Sequence, residues 1–514
     1  WFQSLCQDLR ACCARVGERS WWVATERLAE FRAIHPDAEW APDPSALFAR
    51  SDPEPGQAMV ELLRSRLSGL GPVSARQLCE DFAVAFSTVR AGLLALQAEG
   101  YAMVLAENAD LDDEDRTWCE RRLLASIHRY SREARRKSAR PVPPAAFMRF
   151  LLEWHGFDEP AGELEQALSQ LEGWSAPAAS WEQGLLASRC ADYAPQRLDE
   201  QFLSGYLTWF RPESSGQAAQ QLVAATPIAM VPRRNAVAWN RARSDQATAP
   251  GTLAARIFDI LQDRGAMFTA DLEQESGLMT TQLEQGIAEL VAGGLVTADA
   301  FSPLRWLIRP EAEKRRQQNR LSRRRRGAPG PSLLGRWSVA RRQQGQDPDD
   351  ASGLFPDQAR LALVCEALLL RYGVVFRAVL ERESLIPPWR YLLRYLRRME
   401  DRGEVHGGRF VDGFSGEQFA LPEAVGLLRR HAKEKEALRL DVISAADPLN
   451  LGGIITAGVK TAVRPNIRIL LPVGVPVARI QCDELEMLAS KVSFNPSEDE
   501  RLLRVVVRKP WQVA

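Results

Sequence analysis

One pattern recurs along this chain and limits what it can fold into. An amphipathic helix closes on glycine and runs straight into a short apolar, aromatic strand. The pattern stands at Leu93–Leu105 (LLALQAEGYAMVL), Leu198–Phe210 (LDEQFLSGYLTWF), Ile287–Asp299 (IAELVAGGLVTAD) and Leu392–Phe410 (LLRYLRRMEDRGEVHGGRF), each copy after one or two shorter helical segments. Helix, helix, helix, glycine, strand is the outline of a winged helix-turn-helix, a unit that uses its third helix to enter a DNA groove. Four outlines in one chain predict a mainly α protein with small β wings, built as a tandem array rather than as one catalytic domain.

With 514 residues the chain is too long for one core. Its composition and breakers divide it into an N-terminal helical segment and linker (1–57), a first module (58–110), a basic helical segment (111–160), a second module (161–215), a third (216–310), a basic flexible linker (311–335), a fourth module (336–425) and a β-rich remainder (426–514). Trp1–Ala14 reads as helix, and Glu18–Ile34 as an amphipathic helix with Trp21, Trp22 and Leu28 on its apolar face. The first module reads as helices Ala58–Ser68, Ala75–Ala83 and Ser87–Glu99, with the hydroxyls of Ser74 and Ser87 as N-caps. Asp110–Asp115 is an acidic break, and Trp118–Arg136 a long basic helix. Thr269 is the expected cap of the third module's second helix, and Pro387-Pro388 opens the fourth module's third. The β-branched runs Ile469–Gln481 and Leu502–Val507 predict a small, partly closed, barrel-like C-terminal domain.

Lys plus Arg and Asp plus Glu are equal at 66 each, which excludes a uniformly basic surface. Phosphate binding needs only local positive density, and the arginines are unevenly placed. Arg121, Arg122, Arg129, Arg135 and Arg136 crowd one stretch, and Lys314, Arg315, Arg316, Arg320 and Arg323 to Arg326 another. In the fourth module Arg390, Arg394, Arg397 and Arg398 fall at i, i+4, i+7 and i+8, one helical stripe beside Trp389 and Tyr395. These nine residues, Arg121 to Arg136 and Arg390 to Arg398, are the candidate nucleic-acid contacts. The third helices of the other copies carry Ser87, Thr88 and Arg90, and Thr280, Thr281 and Gln282. They are less basic and suit docking between modules better than reading DNA. The eight cysteines are scattered without a CxxC pair, so no metal site is expected, and they read as reduced thiols of a cytoplasmic protein. No run is long enough to span a bilayer. No phosphate-binding loop of the GxxxxGK[ST] type is present, so no cofactor is expected in this segment. Asp447, at a strand-to-turn junction before Pro448, is the first candidate catalytic residue, as a base or as a stabiliser of an oxocarbenium ion. The plainer alternative for it is an Asx turn. Asp192-Tyr193 is a second, weaker candidate.

Several segments resemble the C-terminal region of the large helicase-related (Lhr) family: Glu18–Phe31, Trp118–Ser131, Phe147–His155, Gly294–Leu307, Leu333–Arg342, Arg371–Val425 and Ile443–Lys460. GGRFVDGFSGEQFALPEA (Gly407–Ala424) is the most distinctive of these stretches. The resemblance implies the extension behind the motor of a bacterial superfamily 2 helicase. In that family ATP hydrolysis drives three-prime to five-prime movement on single-stranded DNA and unwinding of RNA–DNA hybrids. ATP and Mg would belong to the motor, which this chain lacks, and the chain reads as a fragment beginning at Trp1. The resemblance also implies winged-helix modules before a barrel-like domain, and homo-oligomers, tetramers by family likeness. The region is similar to AlkZ-type DNA glycosylases as well, which sets two alternatives beside the helicase extension: a glycosylase for uracil or damaged bases, with Asp447 at the matching DPL stretch, and a purely structural oligomerisation scaffold. The Gln-x-Gln or Gln-x-Asp catalytic motif of those glycosylases has no convincing counterpart in this chain.

Overall fold

A computed structural model of the chain describes residues 2–43, 53–105, 112–138, 140–157, 163–212, 221–240, 250–316, 335–340, 357–433, 440–481 and 484–488. The chain forms two compact units, Trp1–Ala134 and Arg135–Ala514. The helix Arg121–Ser138 runs across that boundary. No helix among the described residues is long and apolar enough to cross a membrane.

The first forty residues overturn the helical expectation. A short helix, Phe2–Gln7, gives way to antiparallel strands Ala11–Val16 and Arg19–Ala24, and only Leu28–Ile34 of the expected second helix is α-helical. Glu39–Ala41 adds a third strand on the other side of Ala11–Val16. Gly17, at φ 60°, opens the two-residue turn between Val16 and Arg19. The apolar residues that fit one side of a helix also fit alternate strand positions, and the aromatic and valine content decides for the strand. Cys12, Ala14 and Val23 point inward, whereas Trp22 is exposed rather than on an apolar face. Trp21 lies half-buried, its indole N–H donating to the Asp81 carbonyl at 2.7 Å.

The first winged module follows: helices Pro55–Leu67, Ala75–Phe82 and Phe86–Ala98, with strands Val73–Ser74, Ala102–Val104 and Thr117–Glu120. Thr117–Glu120 lies between the other two strands. Trp118 is therefore a buried wing residue, and the basic helix begins only at Arg121. Ser74 caps as expected, its hydroxyl accepting from Gln77 N at 3.2 Å. Ser87 sits inside its helix, whose N-cap is Ala85. The described part of the acidic break pins the wing to the helices: Arg90 and Arg116 lie 3.0 and 2.8 Å from Asp113, and Arg76 lies 3.0 Å from Asp115.

The second unit holds three more modules with the same strand order. In the second, helix Leu164–Gln170, strand Ser175–Pro177, a π-helical turn Trp181–Leu186 and helix Pro195–Leu203 precede strands Leu207–Phe210 and Pro227–Pro232. In the third, helices Thr252–Arg264, Thr269–Ser276 and Thr280–Ala292 combine with strands Met267–Phe268, Val296–Ala298 and Arg336–Val339. In the fourth, helix Gln358–Tyr372, a short 3-10 helix Val379–Arg382 and helix Trp389–Asp401 combine with strands Val374–Val375, His406–Gly408 and Gln418–Ala420. Every module puts its last strand in the middle of the sheet. Pro227–Pro232 and Arg336–Val339, read from sequence as openings of the next module, are these closing strands. Thr269 is the first residue of its helix, after the N-cap Phe268.

The repeat carries its packing with it. A Cβ on Gly92 would stand 2.6 Å from Leu63 Cδ1, and one on Gly286 would stand 2.5 Å from Ile257 Cδ1. Both glycines occupy the same place in the third helix, where a side chain would have to push aside Leu63 or Ile257 of the first helix.

Two hydrophobic cores organise the second unit. One joins the helix Pro144–Trp154 (Phe147, Phe150) to the fourth module (Tyr372, Phe376, Leu392, Phe419) and to Ile443 and Ile469. The other joins the second and third modules through Trp181, Trp209, Phe202, Ile287 and Trp337. After the helix Pro422–Lys433, strands Leu440–Ser444, Ile467–Pro472, Ala478–Gln481 and Glu484–Met487 form an antiparallel meander. Among the described residues this sheet is open, its first and last strands unpaired with each other, so the expected barrel is not closed there. Leu502–Val507 and the basic run Arg320 to Arg326 lie outside the described residues.

Candidate nucleic-acid interface

The third helix of the fourth module starts where Pro388 leaves no backbone N–H for the helix and ends before Gly403, at φ 78°. Leu392, Leu396 and Met399 are buried at i, i+4 and i+7. The same periodicity turns Arg390, Arg394, Arg397 and Arg398 to the surface, where all four are exposed. The Arg390 guanidinium lies over the Tyr391 ring at 4.6 Å, and Arg402 lies over Tyr395 at 5.6 Å. The face is therefore a row of guanidinium groups interleaved with aromatic rings.

Two acidic residues that the sequence did not flag shape this face. Arg136, on the basic helix, is half-buried and holds both carboxylate oxygens of Glu400. Its Nη2 also lies 3.0 Å from Glu417 Oε1. Arg397 donates to Glu417 Oε2 through Nε at 2.8 Å, with its Nη2 2.6 Å from the same oxygen. The result is an alternating chain Glu400–Arg136–Glu417–Arg397. Glu400 passes so close to the strand His406–Gly408 that a Cβ on Gly407 would overlap its carboxylate. Glu417 stands just before the closing wing strand. The wing itself is folded inward, with Gln418 Oε1 accepting from Phe410 N and Val411 N at 2.8 Å each and Val142 N donating to Phe410 O. This module thus presents its helix, and Arg136 is a strut of it rather than an open phosphate contact.

Arg121, Arg122 and Arg129 are exposed on the helix Arg121–Ser138, without an ion-pair partner among the described residues. Arg135 lies on the same helix, and its side chain is outside the described residues. The other third helices are engaged. Asp199, on the second module's helix, accepts from Phe301 N and Ser302 N at 2.9 Å each and from Arg305 Nη1 at 3.1 Å. That helix docks on the third module. In the first module Arg90 is tied to Asp113, and in the third Thr280 bonds Glu273 while Gln282 caps Met279 N.

Asp447 does not sit in an open site. It is fully buried, and its two oxygens take Arg189 Nη1 at 2.7 Å and Nη2 at 3.0 Å. Its Oδ1 also accepts from Leu449 N at 3.0 Å, the expected Asx turn. Burial, the Arg189 pair and the Leu449 N bond make Asp447 an internal strut of this structure. Arg189, absent from the sequence reading, also points Nε and Nη2 at His155 Nδ1. The His155 Nε2–H donates in turn to the Arg371 carbonyl at 2.7 Å. Arg371, equally buried, pairs with Glu383 and donates to Gln170 O at 3.0 Å. Asp192, by contrast, is exposed and paired with Arg197, and Tyr193 donates to Glu182 at 2.7 Å.

Burial, and next to it the Arg189 charge, hold His155 neutral, far below the usual imidazole value of 6.5. The unfolded chain binds this proton below that value and the folded chain does not, so acid favours unfolding. The second unit should lose up to about 1.4 kcal/mol per pH unit below the usual imidazole range. Urea midpoints at neutral and mildly acid pH check this, and an acid sensitivity that persists undiminished in His155→Gln would refute the assignment to His155.

Residues 142–232 and 356–440 each match a model of a winged-helix domain of the large helicase-related protein. The chain is 28% identical over 421 residues to the Lhr helicase/uracil glycosylase of Escherichia coli (strain K12), covering 74% of this chain and 26% of that protein. It is 28% identical over 481 residues to the Lhr helicase/probable uracil glycosylase of Mycolicibacterium smegmatis, covering 88% of this chain and 30% of that protein. The chain thus spans less than a third of either relative's length. Among solved structures, the Streptomyces sahachiroi DNA glycosylase AlkZ gives a TM-score of 0.38 at 13% identity, over 72% of this chain and 97% of that one, too loose a likeness to carry an argument. Two segments of the chain thus match winged-helix domains of the large helicase-related protein, and relatives of that name align along most of its length.

Proposed function

We propose that this chain is the nucleic-acid-binding extension of an ATP-dependent DNA repair helicase. The motor, with its ATP and Mg, would lie elsewhere in the protein, in the cytoplasm. The extension would guide single-stranded DNA or an RNA–DNA hybrid and would nucleate homo-oligomers, tetramers by family likeness. The observation that carries this reading is the exposed arginine stripe Arg390, Arg394, Arg397 and Arg398 on the third helix of a matched winged-helix domain. Arg121, Arg122 and Arg129 are exposed arginines of the first unit and a separate candidate contact. Docking of the second module's helix supports a division of labour in which some modules build the scaffold and the fourth meets the nucleic acid.

Arg394→Glu with Arg398→Glu is expected to weaken binding of a fluorescent single-stranded oligonucleotide about tenfold, a change of about 1.4 kcal/mol. The slope of log affinity against log salt should become shallower by about 1.4 for two lost phosphate contacts. Anisotropy titrations at several salt concentrations read both. Unchanged affinity and slope would remove this helix from the nucleic-acid path.

The glycosylase reading rests on the names of the two relatives. Its candidate residue is Asp447, which is buried against Arg189. Alkali-labile cleavage of a uracil-containing oligonucleotide, with host uracil glycosylase inhibited, is the test for it.

A further inference from the structure

Arg136 and Arg397 come from different helices and converge on one carboxylate, that of Glu417. Two guanidinium groups closing on a pair of oxygens is how arginines grip a phosphate. Here the oxygens belong to the protein. Glu417 stands on the loop before the closing wing strand, with a quarter of its side chain exposed, and Arg397 is more than half exposed, so the cluster faces solvent. Arg136 is fixed independently by the nearly buried Glu400, with Gly407 leaving room for the pair. The guanidinium of Arg136 therefore keeps its place if Glu417 moves away, and Arg397 stays on the helix that carries the rest of the arginine stripe. We propose that the meeting point of Arg136 and Arg397 is a phosphate-binding site, filled by Glu417 in the free chain. Its ligand is a backbone phosphate of a nucleic acid, so the inference rests on the proposed function for the source of that phosphate but not for the site itself. Glu417 acts there as a built-in competitor: nucleic acid must displace it to use Arg397.

The test compares three variants of the full chain with wild type. Glu417→Gln removes the competing charge, Glu423→Gln makes the same charge change at an exposed position of the next helix, and Glu417→Gln with Arg397→Gln removes the site. Two probes are used, a single-stranded oligonucleotide followed by anisotropy and inorganic pyrophosphate followed by thermal shift. Glu417→Gln is expected to bind the oligonucleotide about fivefold more tightly, about 1 kcal/mol, with a salt slope steeper by about 0.7. It should also be the only form that pyrophosphate stabilises. Glu423→Gln should stay within twofold of wild type, and Arg397→Gln should cancel the gain. Equal behaviour of Glu417→Gln and Glu423→Gln toward both probes overturns the site while leaving oligonucleotide binding, and with it the proposed function, intact. Pyrophosphate stabilising Glu417→Gln alone, with no form binding oligonucleotide, upholds the site and removes the nucleic-acid reading.

Discussion

Asp447→Ala is expected to destabilise the second unit by about 3–5 kcal/mol, because it leaves the Arg189 charge buried without its partner. Arg189 is 2% exposed and cannot turn to water. Its remaining acceptors are His155 Nδ1, the Leu185 carbonyl and the Ser188 hydroxyl, all neutral. The variant also loses the Asx bond that orders the Leu449 turn. Against a typical total of about 5–15 kcal/mol, this is a large part of the unit's stability. Asp447→Asn keeps an acceptor for Leu449 N but turns an amide N–H₂ toward Arg189, so most of the loss should persist. Removing both charges, as Asp447→Leu with Arg189→Met, should cost less than either single change, since the uncompensated ion is what costs most. Urea unfolding followed by tryptophan fluorescence reads all three variants against wild type. A loss below about 1 kcal/mol in Asp447→Ala would mean that the junction is open to water and the strut reading is wrong. An Asp447→Asn variant that is fully stable but no longer releases uracil would return the residue to catalysis.

Trp337→Ala is expected to cost about 3–5 kcal/mol through the cavity it leaves. Trp337 is fully buried in the closing wing strand of the third module and meets Trp209 of the second module edge to face, with centroids 6.4 Å apart. The Trp209 indole donates across to the Ala300 carbonyl at 3.1 Å, so one aromatic pair ties two modules. Phe414 is only partly buried against Phe376, and its removal should cost distinctly less. Denaturant midpoints give the magnitude, and limited proteolysis of the native variant should show new cleavage between the second and third modules. An intact proteolytic pattern with a small midpoint shift would show that the docking does not depend on this pair.

The four-module reading was legible because helix, glycine and strand are consecutive in the chain, and local order survives into the fold. The closing wing strands were not. Thr117–Glu120, Pro227–Pro232 and Arg336–Val339 return after loops of unequal length, so no fixed spacing marks them. The N-terminal hairpin was missed because RSWWVA satisfies helical and strand periods alike over six residues. Of the candidate interface, the arginine stripe follows from spacing on one helix. Its acidic partners do not, since Arg136 and Glu400 are 264 residues apart and meet only through tertiary packing. Asp447 stood out as a carboxylate at a strand end, but nothing local announces the arginine that occupies it from 258 residues away.

Ala445 belongs to the core of the fourth module and Ala446 to the core shared by the second and third. The same few residues bring the Trp174 indole to the Ala446 carbonyl at 2.9 Å and Arg382 to the Asn450 carbonyl. A chain leaving the ribosome must therefore complete all its winged modules before the segment that locks them together exists. Closure of loops this long is slow to find. Until residues 444–450 emerge, Arg189 and the faces of both cores stay open to water. The second unit is thus finished only after most of its length has been made, and nascent chains arrested before Ser444 should expose apolar surface that the complete protein hides.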